Sequence, residues 1–71
     1  MILDLHGIKH LDASREIDKF LWSCMEKKIS QAEIISGKSI EMKSIVKSVV
    51  EEYGFSVIET MDGGSLIIVM K

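Results

Sequence analysis

Between Met42 and Tyr53 the apolar residues Met42, Ile45, Val46, Val49, Val50 and Tyr53 recur at steps of three and four, and this stripe constrains the chain more than any other feature. A period of 3.6 residues puts all six on one face of a helix, which must then be covered. Gly54 stands directly after the stripe, where a left-handed C-terminal cap belongs.

A second amphipathic pattern runs from about His10 to Lys28, with Leu11, Ile17, Phe20, Leu21, Cys24 and Met25 between charged positions. The remaining apolar runs are short and strand-like. Met1 to Leu5 ends at Gly7, and Ala32 to Ser36 ends at Gly37. "FSVIETM" and "SLIIVMK" flank Asp62, Gly63 and Gly64, which reads as a hairpin with a glycine-bearing turn. The order is β-α-β-α-β-β. Strands joined through a helix most readily lie parallel with a right-handed crossover, and the last two lie antiparallel. The expected fold is α/β in the sense of an α+β two-layer sandwich, a mixed four-stranded sheet carrying two helices. A length of 71 residues suits one small domain over residues 1–71.

The apolar runs are far shorter than the ~18 residues of a membrane span, and no signal-like segment is visible. A single cysteine, Cys24, leaves no partner for an internal disulfide, so a reducing, cytoplasmic setting is expected. The formal net charge of −2 means that any affinity for nucleic acid must come from a local patch. An uncovered sheet face makes the expected state a monomer or a weak homo-oligomer.

Asp4 and His6 interrupt the first apolar run two residues apart, so an extended strand would present both on one side. "SGKS", Ser36 to Ser39, follows the second strand. If the two strands are parallel, both spots share the carboxyl edge of the sheet, where open α/β sheets place ligands. Gly37 permits close backbone approach, the following helix start carries free amides that favour an anion, and Lys38 adds a charge. Lys43 and Lys47, one turn apart, extend this basic patch, and Lys9 adds to it. Each feature also has a plainer reading. Asp4 and His6 form a structural hydrogen bond, "SGKS" is a strand-to-helix turn, and the two helix lysines are a solvated face. His10 is a helix-start residue or, with His6, a metal ligand. The four aromatics, Phe20, Trp22, Tyr53 and Phe55, sit mostly at core-like positions, which disfavours base stacking. A nucleotide-binding P-loop is excluded, since "GKS" then needs a glycine five residues before Gly37, where Ala32 stands.

"LDLHG" (Leu3 to Gly7), Ala13 in the first helix, "IISGKS" (Ile34 to Ser39) and "GG" (Gly63, Gly64) before "IIVMK" occur in the order of the Smr (small MutS-related) domain, which the whole chain resembles. The resemblance implies a fold similar to the C-terminal domain of translation initiation factor 3. It also implies nucleic-acid binding and, in many members, a DNA or RNA endonuclease or nicking activity supported by a divalent metal. The family's first motif falls on Leu3, Asp4 and His6, and its second on Ser36, Gly37, Lys38 and Ser39. In the second motif Ser36 and Ser39 replace histidine and glycine, which puts catalysis in question.

On this reading Asp4 and His6 are the catalytic pair, with His6 as general base or acid and Asp4 orienting it or touching a metal. Gly7, Lys9, Ser36, Gly37, Lys38, Ser39, Lys43 and Lys47 are the phosphate-binding set. One carboxylate is too few for a two-metal mechanism, so no tightly bound cofactor is expected beyond a single, weakly held Mg²⁺ or Mn²⁺. The alternative is a non-catalytic module that binds nucleic acid or protein.

Overall fold

The computed structural model describes residues 1–70; Lys71, the last residue of the expected final strand, lies outside them. In chain order the elements are β1 (Ile2–Asp4), α1 (His10–Glu26), β2 (Gln31–Ile35), α2 (Ile40–Glu52), β3 (Ser56–Glu59) and β4 (Ser65–Val69). They form a four-stranded sheet in the order β1-β2-β4-β3. β1 and β2 are parallel, and β4 is antiparallel to both of its neighbours. The mixed sheet, the two helices and the hairpin agree with the sequence expectation.

The stripe of α2 is buried at Met42, Val46, Val49 and Val50, while Ile45 and Tyr53 pack at its margin. It meets Ala13, Ile17, Phe20, Leu21 and Cys24 of α1 and the inward residues Ala32, Ile34, Leu66 and Ile68 of the sheet. Each buried Val, Leu, Ile, Met or Phe among them contributes about 1.5–3 kcal/mol by leaving water. On the opposite face the register sets Ile2, Glu33, Ile67 and Ile58 in one row across all four strands. Ile2 and Ile58 there remain 64% and 57% exposed.

α2 closes as its sequence requires. The Gly54 amide donates to the Glu51 carbonyl and that of Phe55 to Val50, with Gly54 at φ +79°. α1 closes in the same way without a glycine. Lys28 and Ile29 donate to Met25 and Cys24, and Lys28 takes φ +57°. The helix therefore stops at Glu26 rather than at Lys28.

Three further expectations change. Leu11 is 85% exposed, because it lies on the side of α1 opposite the buried arc of Ala13, Ile17 and Phe20. Trp22, three turns further along that outer side, is 60% exposed and departs from the other aromatics, since Phe20 is buried and Tyr53 and Phe55 pack against the core as expected. β1 ends at Asp4, which leaves His6 in the turn beyond it rather than on the strand. Among the described residues no helix is long and apolar enough to cross a membrane.

Candidate nucleic-acid interface

Parallel pairing of Asp4 with Ile35, extended by a bond from the Leu5 amide to the Ile35 carbonyl, brings the loops after β1 and β2 out at the same sheet edge. Asp4, His6, Gly37 and Lys38 are thus collected there, as the sequence expects. The mechanism of the Asp4–His6 pairing differs from strand alternation. Asp4 Oδ1 accepts the His6 amide at 2.9 Å and the ring Nδ1 at 2.8 Å, so a tight turn aims the imidazole back at the carboxylate.

That geometry assigns the ring protons. The His6 amide, followed by its ring, holds the Asp4 carboxyl below the usual carboxylate range, so it is an acceptor at neutral pH. Nδ1 therefore carries a hydrogen, and in the neutral ring Nε2 keeps a free lone pair. Nε2 faces Gly37 closely enough that a Cβ there would stand 3.2 Å from it. Gly37 also has φ +67°, a conformation that favours glycine, and a side chain there would oblige the His6 ring to shift by a few tenths of an ångström.

A third segment joins the edge. Because β4 is antiparallel to β2, Ser65 lies opposite Ile35, and the turn before β4 falls beside the glycine loop. The Gly64 carbonyl accepts the amides of Ser36 at 3.2 Å and Gly37 at 3.0 Å. Asp62 Oδ1 in turn accepts the Gly64 amide at 2.9 Å and the Thr60 hydroxyl at 2.7 Å. These two donors, the Gly64 amide first, hold the Asp62 carboxyl below its ordinary value, with Lys38 a lesser influence. Asp62 is not among the residues that the sequence singles out. "DGG" signals a turn, but nothing local says that β4 inserts beside β2 and carries the turn to this edge.

The rest of the phosphate-binding set is distributed unevenly. Ser36 is buried, with its hydroxyl donating to the Gly37 carbonyl, and Ser39 is the N-cap of α2, accepting the Met42 amide at 3.1 Å. Gly7 turns the chain at φ +79°, and Lys9 is the N-terminal flank of α1. Lys43 is nearly buried, its side chain 14% exposed, and reaches Glu59 Oε2 at 3.0 Å, while Lys47 reaches Oε1 at 3.5 Å. Glu59, held low first by the Lys43 hydrogen bond, neutralises one of the two charges. Among the described residues, neither Lys9 nor Lys38 forms an ion pair. His10 Nδ1 sits 3.7 Å from Glu41 Oε2, at the start of the other helix.

Among the described residues no three His, Cys, Asp or Glu side chains converge, and Oδ1 of Asp4 is already taken by two donors.

No curated protein and no solved structure matches the chain significantly. The Smr domain family model matches residues 3–58. The matched stretch begins at the residues before the Asp4–His6 pair, runs through the glycine loop and ends in β3, so both loops of the shared edge lie inside it, and the chain belongs to the Smr domain family.

Proposed function

We propose that this protein binds the phosphate backbone of a nucleic acid across the edge formed by Asp4–Gly7 and Ser36–Ser39, and cleaves a phosphodiester there. Family membership supports nucleic-acid interaction in general. The observation that carries the catalytic part is the Asp4 carboxylate bound to His6 Nδ1 at 2.8 Å, which leaves Nε2 to accept a proton. His6 then serves as general base toward an attacking water, whose oxygen bonds to phosphorus as the bond to the leaving sugar oxygen breaks; that oxygen takes up a proton from the imidazolium or from solvent, and Asp4 stabilises the imidazolium while it exists. Lys38 and the unsatisfied amides at the start of α2 hold the phosphate oxygens as charge develops on them. Were Mg²⁺ or Mn²⁺ bound, the Asp4 carboxylate would hold it and the ion would neutralise charge on the phosphate; the roles assigned to His6 and Lys38 do not depend on it.

One observation favours a second reading. The hydroxyl of Ser36, at the position of the family's histidine, is committed to the Gly37 carbonyl at 2.8 Å. That supports a module which binds without cutting. Labelled single-stranded RNA, single-stranded DNA and branched duplex, incubated with wild type and His6→Ala in Mg²⁺, Mn²⁺ or EDTA, separate the two. Cutting by wild type that His6→Ala loses supports the nuclease. Salt-sensitive retention without cutting supports the binding module, and neither retention nor cutting removes both.

A further inference from the structure

Asp62 stands outside the Asp4–His6 pair and the glycine loop, yet hydrogen bonds connect it to the glycine loop, which faces the His6 ring. Its Oδ1 fixes the Gly64 amide at 2.9 Å. The carbonyl of the same glycine fixes the Gly37 amide at 3.0 Å and that of Ser36 at 3.2 Å. Gly37 in turn faces Nε2 of His6, a Cβ built on the glycine standing 3.2 Å from it. Thr60, 2.7 Å from the carboxylate and 3.2 Å from the Ser65 amide, holds the other side of the turn. The imidazole is thereby held by Asp4 on one side and bordered by the glycine loop on the other. Asp4 grips it at Nδ1, and the hairpin turn sets the surface facing Nε2.

We infer that Asp62 is a positioning residue for His6, acting through Gly64 and Gly37 to fix where the free ring nitrogen stands. In its catalytic part this rests on the role proposed above for His6; the structural coupling does not. Asp62 lies in an exposed turn, away from the buried cluster, so replacing it leaves the core intact. Its function as an acceptor is retained by asparagine and lost in alanine.

The test is nuclear magnetic resonance on the whole chain, reading the Overhauser effect between the His6 ring protons and the Gly37 α-protons. It is run on wild type, Asp62→Ala and Asp62→Asn, with the amide spectrum of the two helices confirming the fold. The effect is expected to weaken at least twofold in Asp62→Ala and to return in Asp62→Asn. Cleavage assays on the same proteins are expected to show kcat reduced about tenfold in Asp62→Ala, with KM within twofold and rescue by Asp62→Asn. An unchanged Overhauser effect in Asp62→Ala overturns the inference, whatever the cleavage data show. Weakening in Asp62→Ala with recovery in Asp62→Asn upholds the coupling even if wild type cuts nothing, in which case the proposed nuclease fails separately.

Discussion

His6 and Gly37 come so close that a Cβ on the glycine would stand 3.2 Å from the histidine's Nε2, although the two residues lie in loops separated by a helix and a strand. Gly37→Ala therefore meets two penalties. Its φ of +67° costs a residue with a Cβ about 1–2 kcal/mol, and the added methyl displaces the imidazole. Thermal denaturation should show a drop of that size, and cleavage or binding should fall by more than the lost stability explains. Full function in a folded Gly37→Ala would show that His6 does not work from this position.

The lysines divide into two classes. Lys38→Ala should lower the slope of log affinity against log salt by about 0.7–0.9, as removal of one phosphate contact does. Lys43→Ala should alter that slope less and reduce the melting temperature, since this side chain is 14% exposed and bound to Glu59. Titrations over a range of salt concentrations with a labelled oligonucleotide distinguish the two. Equal slopes for both variants would mean that Lys43 leaves Glu59 for the phosphate.

Acid should loosen the site edge. Asp4, Glu59 and Asp62 all have pKa values lowered in the folded state, by the His6 amide, the Lys43 ammonium and the Gly64 amide respectively. A carboxylate depressed by folding stabilises the protein above its unfolded pKa, about 4, and loses that contribution as pH falls through the lower folded value. Circular dichroism should thus show constant stability downward from pH 7 to about 5 for these groups, then a decline below about 4. Asp4→Asn should make the decline shallower; an unchanged acid limb would show that the Asp4 turn adds nothing to folding.

Lys28→Gly should stabilise the chain. A lysine at φ +57° carries about 1 kcal/mol of strain in the cap of α1, which glycine relieves while keeping both cap hydrogen bonds. For a domain of this size the gain corresponds to a melting temperature about 4–8 °C higher, less what the more flexible unfolded chain takes back. A lower melting temperature in Lys28→Gly would contradict the strain.

Local signals account for what was legible in advance. The α2 stripe and Gly54 announce a helix and its cap, and the short runs ending at Gly7 and Gly37 announce strands whose loops share an edge. What escaped depends on partners distant in sequence. Nothing near Lys28 marks a cap normally made by glycine. Leu11 looks like a core residue until the buried arc of α1 is known. Glu59 sits in a strand 12 residues from Lys47 and 16 from Lys43, so the pairing that reduces the basic patch is invisible along the chain. Asp62 reaches the site only because β4 lies between β2 and β3.

β1 is three residues long and pairs on one side only, with β2. A short edge strand is the element that detaches first in local opening, well before the buried helices separate. Since Asp4 ends this strand and His6 hangs just beyond it, half of the site can come undone while the remainder of the protein stays folded. A polyanion bridging the loops after β1 and β2 would bind only the closed form, so its arrival should slow amide hydrogen exchange at Leu3 to Leu5 far more than in α1 or α2. Occupancy would then be readable in the lifetime of a strand that the ligand need not touch.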